Sequence, residues 1–173
     1  MTDENLMMMV ADGDTRKLGD LYNRYHAKVY DYFSRMTNDH FLSSDLLQTV
    51  FEKALKGKHT YREQYPFVGW IFRIAKNVLM DHYRKNKRTE EVQEYNAISF
   101  EDPTIDNLDK SDLEIALDQL DEHYREVLLL TRFEDLKYKE VAAIVGISET
   151  GVKTRVRRAI AQLRENYLKV TSE

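Results

Sequence analysis

A chain of 173 residues can form one domain or two small ones, and 42% hydrophobic residues are enough to fill a core. The lack of cysteine removes disulfides and thiolate metal sites and suits a reducing cytoplasm. No apolar run approaches the roughly 20 residues of a membrane span, and the acidic opening Met1-Thr-Asp-Glu-Asn5 is unlike a secretory signal. The net charge of −4 speaks by itself against a nucleic-acid binder, but the charge is unevenly placed. Arg84-Lys-Asn-Lys-Arg88 and Lys153–Arg158 are basic patches, whereas Glu90–Glu122 carries twelve acids against the single Lys110. Salt screens charges beyond roughly 8–10 Å, so the local patch sets the field a ligand meets.

Two prolines, six glycines and few β-branched runs predict an all-α protein. A short helix is expected near Asp3–Val10, then a longer one from about Asp14 to Met36. The longer one carries Leu18, Leu21, Tyr22, Tyr25, Val29, Tyr32 and Phe33 on a core face at spacings of three and four. Asn38-Asp-His40 interrupts it. Ser43 reads as the cap of a third helix reaching about Leu55, with Leu47, Val50, Phe51 and Ala54 inward. Asp45, Gln48, Thr49, Glu52 and Lys56 gather on its opposite face. Lys56–Pro66 is a polar loop bearing Tyr61 and Tyr65.

A strong helix follows from Phe67 to about Asn86, with Phe67, Ile71, Ile74, Val78 and Leu79 on the core side. Trp70, Arg73, Asn77, Asp81 and Arg84 form a second line at increments of three, four, four and three. An aromatic beside an amide and arginines suits stacking and hydrogen bonding to unpaired bases. The plainer reading places Trp70 at the core edge and makes Asp81 and Arg84 a surface pair.

From Thr89 to Lys110 periodicity fades into a linker, and Ser111-Asp-Leu-Glu114 is a capping box that opens a second domain. Leu113, Leu117, Leu120, Val127, Leu128, Leu130 and Thr131 supply its apolar stripe. The expectation is two small helical domains, 1–88 and 111–173, joined by a flexible acidic tether over 89–110. Extended, such a tether reaches up to about 70 Å.

The last third reads as a helix-turn-helix. Tyr138–Val145 is helical, Gly146 stops it by taking a left-handed backbone cheaply, and Ser148 caps the next helix. Val152, Val156, Ala159, Ile160 and Leu163 make that helix's buried stripe. Thr150, Lys153, Thr154, Arg157 and Arg158 then point outward. Cations spaced by small hydroxyls suit a major groove, where they meet phosphates and guanine edges. By contrast, His26, His40, His59, His82 and His123 stand singly without metal spacing, and no glycine loop cradles phosphate. No catalytic residue, metal or cofactor is expected.

Three stretches together resemble the extracytoplasmic-function (ECF) sigma factors of bacterial RNA polymerase, within the sigma-70 family. Asp45-Leu-Leu-Gln-Thr-Val-Phe51 matches the family's D-L-x-Q-x-x-F. The stretch from Phe67 to Arg84 matches F-x-x-W-L-x-x-I-A-x-N-x-x-x-D-x-x-R, and the final helix-turn-helix, preceded by Leu117–Leu128, resembles region four.

The resemblance implies a division of labour. Residues 1–88 would be region two and 111–173 region four, with the linker threading the polymerase channel. Asp45, Gln48, Thr49 and Glu52 would dock on core polymerase, at the clamp helices of its largest subunit. Tyr61, Trp70, Arg73, Asn77, Arg84 and Lys85 would take the single-stranded minus-10 element of the promoter. Ser148, Thr150, Lys153, Thr154, Arg157 and Arg158 would take the duplex minus-35 element. An anti-sigma factor is a further expected partner. The competing class is a helix-turn-helix regulator that binds palindromic duplex sites and needs no polymerase.

Overall fold

A computed structural model describes residues 1–93 and 110–172. All regular structure among them is helical. The order is α1 (Asp3–Ala11), α2 (Lys17–Thr37), α3 (His40–Lys56), α4 (Phe67–Gln93), α5 (Asp112–Asp118), α6 (Glu122–Leu128), α7 (Tyr138–Val145) and α8 (Glu149–Thr171). A 3-10 turn, Lys58–Thr60, follows α3, and a π-helical turn, Leu129–Phe133, continues α6. Most of the stretch expected as a linker, 94–109, lies outside the described residues.

In the first half α2, α3 and α4 pack side by side with α1 across one end. Leu21, Val29 and Phe33 of α2, Val50 and Ala54 of α3, and Phe67, Ile71, Phe72, Ala75 and Leu79 of α4 are fully enclosed. Tyr22, expected inside, is mostly at the rim, stacked on His26 and edge-on to Phe51. Asn38 ends α2 in the left-handed conformation at φ 54°. The start of α3 differs from expectation. Asp39, not Ser43, is the cap, accepting from the Leu42 N–H at 2.9 Å. Ser43 is buried one turn in and donates to the Asp39 carbonyl at 2.6 Å. Both residues are good caps; Asp39 wins because it directly follows the left-handed break. Helix α4 runs past Asn86 to Gln93, since 86–93 contains neither glycine nor proline to stop it.

In the second half the Ser111–Glu114 capping box forms as expected, with hydrogen bonds of 3.3 and 3.0 Å. Helices α5 and α6 pack on α8, and Asn166, buried on α8, donates to the Ala116 carbonyl at 3.2 Å. Leu113 is an exception to its stripe. It is largely exposed and lines a shallow groove with Ile160, Leu163 and Tyr167.

The two halves meet along a seam. Helix α7 lies on α4, and α6 with its π-helical turn lies on α2. Glu126 on α6 is 4% exposed; its carboxylate accepts from Lys76 Nζ at 2.9 and 2.7 Å and from the Tyr32 hydroxyl at 3.0 Å. Burial, then the neighbouring Glu126 charge, pushes the Tyr32 phenol well above its ordinary value. Arg35 of α2 sits 4.5 Å over the Phe133 ring. Arg125 closes the end of α5 through the Leu117, Asp118 and Leu120 carbonyls and reaches Met36 O across the seam at 3.4 Å.

Candidate nucleic-acid interface

The helix-turn-helix is built by local chemistry. Gly146 takes φ 75°, and the Gly146 and Ile147 N–H groups both return to the Ala142 carbonyl, at 2.9 and 3.2 Å. That closes α7 and turns the chain. Ser148 then caps α8 by accepting from the Gly151 N–H at 3.0 Å, so its hydroxyl is already engaged. Val152, Val156 and Ala159 are buried, and Ile160 and Leu163 pack on the same core. Thr150, Lys153, Thr154, Arg157 and Arg158 are all exposed along the opposite side of α8. A capped helix N-terminus and a row of cations therefore share one accessible face, the arrangement a phosphate-lined groove requires.

The second surface runs along α4 from its first turn to Lys85. Arg73, Asn77, Arg84 and Lys85 are exposed along it. Asp81 between them is engaged, with Lys53 Nζ at 3.0 Å and Arg84 at 2.7 Å. The Lys53 hydrogen bond holds the Asp81 carboxyl below the usual range. The plainer reading of that pair is therefore correct, and Arg84 is one half of an exposed ion pair. Trp70 is half-buried, 5.3 Å edge-on to Tyr61 and 5.9 Å from Phe67, so one side is packed and the other faces out.

Tyr61 requires a correction. It was expected to meet DNA, but it is 3% exposed, its hydroxyl donates to the Tyr65 carbonyl at 2.7 Å, and its ring supports Phe67 and Trp70. The exposed aromatic of this loop is Tyr65, at 58%. Alternation of polar and aromatic residues in the loop could not distinguish the two.

Tyr65, Trp70, Arg62 and Arg73 line one wall of a cleft of about 680 Å³ whose other wall is α7, with Lys137, Lys139, Glu140 and Ile144. Neither lysine was singled out from the sequence. Glu140 is already engaged, accepting from the Lys137 N–H at 2.9 Å.

On α3, Asp45, Gln48 and Glu52 are exposed in a row, Gln48 donating to Glu52 at 3.2 Å, while Thr49 is half-buried with its hydroxyl on Asp45 O. The same row continues at both ends. Phe41, 90% exposed, precedes Asp45 by four residues, and Leu55 follows Glu52 by three. Alternating spacings of four and three keep a straight stripe on a helix, the geometry of a helix–helix seam.

Residues 21–89 match the model of sigma-70 region 2, and residues 111–163 match that of sigma-70 region 4. The RNA polymerase sigma factor SigZ of Bacillus subtilis is 33% identical over 149 residues, 84% of each chain. The ECF RNA polymerase sigma factor SigM of the same organism is 31% identical, covering 87% of this chain and 94% of its own. The chain belongs to the ECF group of sigma-70 factors. Among solved structures, CnrH in complex with the cytosolic domain of CnrY superposes with a TM-score of 0.72 at 25% identity, over 94% of this chain and 95% of that one. The sigma factor RpoE in complex with the anti-sigma factor NepR, from Bartonella quintana, shares the fold. Its TM-score is 0.73 at 24% identity, over 88% of this chain and 96% of that one. This sigma factor directs RNA polymerase to promoters. No described helix is long and apolar enough to cross a membrane.

Proposed function

We propose that the sigma factor divides promoter recognition between its halves. Residues 1–88 dock on core polymerase and capture the unpaired minus-10 strand, and 111–173 read the minus-35 element as duplex. The observation that carries this is the outward face of α8. Five polar side chains stand exposed on it, behind a capped N-terminus and opposite a buried apolar stripe. Lys153 and Arg158 read base edges or hold phosphates, and Thr150 and Thr154 are short enough to allow close approach.

On α4, Trp70 presents a stacking face, with Arg73 and Asn77 beside it for a flipped base and its phosphates. Tyr65 takes the role first expected of Tyr61. Base capture supplies free energy for strand opening, and the polymerase carries out the chemistry, in the cytoplasm, with no cofactor held by this chain. The stripe Asp45, Gln48 and Glu52 meets a helical element of core polymerase, with Phe41 as its apolar anchor, since a solvent-facing aromatic gains most when an interface covers it. RpoE is bound to an anti-sigma factor, and a partner of that kind is expected here too.

The test uses the full chain with core polymerase and a non-template oligonucleotide bearing a fluorescent base at the flipped position. The unpaired strand should bind well ahead of the same sequence in duplex, and Trp70→Ala should abolish the fluorescence change. Equal binding of duplex and single strand contradicts the assignment of α4.

A further inference from the structure

Resting on that reading of α4, we propose that α1 is a brace for the strand-capturing helix, with Glu4 as its positioning residue. Glu4 fixes the first turn of α4 and, through that turn, the stacking face of Trp70. Helix α1 lies outside residues 21–89, the span that matches region 2. It is nonetheless anchored in the same core, with Leu6, Met7 and Val10 buried.

The need for a brace comes from Pro66. Its carbonyl accepts the first hydrogen bond of α4, from the Trp70 N–H at 3.3 Å, so proline holds the cap position. A proline side chain has no atom that can accept from the amides of the first turn. Phe67 is fully enclosed, so its N–H has no water to turn to either. The missing acceptor comes from 63 residues away, where Glu4 Oε1 takes the Phe67 N–H at 3.0 Å. A carboxylate there also suits the positive end of the α4 dipole. Acids in the first turn of α1 would ordinarily be explained by the dipole of α1 itself. Here both acids of that turn reach neighbouring helices. Asp3 accepts from Arg24 and from the Tyr25 hydroxyl of α2. The Tyr25 ring meets the Phe67 ring edge-on at 5.1 Å, and Phe67 lies 5.9 Å from Trp70. One route through the Phe67 backbone and another through its ring therefore run from α1 to the aromatic that stacks on an unpaired base.

Trp70 is the single tryptophan of the chain, so its fluorescence reports this turn alone. The test compares the full native chain with Glu4→Ala, Glu4→Asp and Glu4→Gln. Glutamine loses the charge but keeps an oxygen that can accept from the Phe67 N–H; aspartate keeps the charge but withdraws its oxygens by one methylene; alanine keeps neither. In the free chain, acrylamide quenching of Trp70 should rise in Glu4→Ala and Glu4→Asp and stay near native in Glu4→Gln. With core polymerase and the same fluorescent non-template oligonucleotide, strand affinity should fall by about fivefold in Glu4→Ala, the equivalent of one lost cap. Glu4→Asp should also weaken it, and Glu4→Gln should bind no more weakly than the native chain. Helical circular dichroism checks that each variant is folded.

Charge alone predicts a different order. Glu4→Ala and Glu4→Gln both remove an acid from a surface that meets phosphates, so without the brace they should tighten binding alike, and Glu4→Asp should change nothing. Equal affinities in Glu4→Ala and Glu4→Gln, whatever their sign, overturn the brace. So does native quenching together with native affinity in Glu4→Asp, a variant that keeps the charge and tests reach alone. Strand affinity left intact by Trp70→Ala overturns the strand-capture reading of α4. The brace then falls as a determinant of promoter recognition, even where Trp70 quenching still responds to Glu4→Ala.

Discussion

Replacing Glu134 with glutamine should flatten the pH dependence of stability between about pH 4.5 and 7. Glu134 follows the π-helical turn and is 7% exposed at the seam, where the nearest charges across from it are Lys28, Asp31 and Arg35 of α2. Burial pushes its carboxyl from 4.5 up to about 7; Asp31 adds to the rise, and Lys28 and Arg35 oppose it. The folded chain therefore holds a proton that the unfolded chain has released across that interval. The stabilisation is complete below pH 4.5 and is lost as pH rises through about 7. At about 1.4 kcal/mol per pH unit, the shift corresponds to about 3 kcal/mol. That is an upper value, since a carboxylate at the edge of a seam can turn toward water when it ionises.

Glutamine cannot ionise, so Glu134→Gln should be more stable than the native chain at pH 8 by up to about 3 kcal/mol. The two should differ little near pH 4.5. Urea unfolding of both chains at half-unit pH intervals gives the difference directly, and titrations common to both, such as those of the five histidines, cancel. Parallel stability curves from pH 5 to 8 would refute the reasoning. A native chain that gains on its variant as pH rises would reverse its sign.

Three further outcomes are expected. Lys153→Ala or Arg158→Ala should weaken binding to the minus-35 duplex by about 1–3 kcal/mol against a scrambled competitor; an equal loss on every sequence would mean phosphate contact only. Asp45→Ala with Gln48→Arg should abolish co-purification with core polymerase at unchanged helical circular dichroism, and Phe41→Ala alone should weaken it; wild-type affinity in both variants would place the docking face elsewhere. Gly146→Ala should cost about 1–2 kcal/mol by thermal unfolding, entirely from the left-handed backbone, because an added Cβ there meets nothing within 4 Å. An unchanged melting temperature would contradict that cost.

Local signals carried most of the fold. Gly146 and Ser148 mark the helix-turn-helix through backbone conformation and capping, which depend on a few neighbouring residues, and so does the Ser111–Glu114 box. Competing local signals were harder to rank, so the cap of α3 was placed at Ser43 when Asp39 holds it. The α8 face was legible because its stripe and its cations alternate at the helical period.

The α4 site was legible only in part. Tyr61 and Tyr65 are alike in sequence, and which one turns inward is decided by packing against Phe67 and Trp70. The seam was not legible at all. Lys76 and Glu126 are fifty residues apart, and each sits where a charged residue normally faces solvent; only the fold brings them to 2.7 Å.

The most direct measurement of the central claim is reconstituted transcription from a genomic DNA library by bacterial core RNA polymerase, with and without this chain, reading RNA 5′ ends. The account predicts start sites that appear only when the chain is present and share two upstream elements. Substitutions at Lys153 and Arg158 should shift the upstream element, and Trp70→Ala should suppress initiation altogether. Identical start sites with and without the chain, together with chain binding to palindromic duplex in the absence of polymerase, would contradict it.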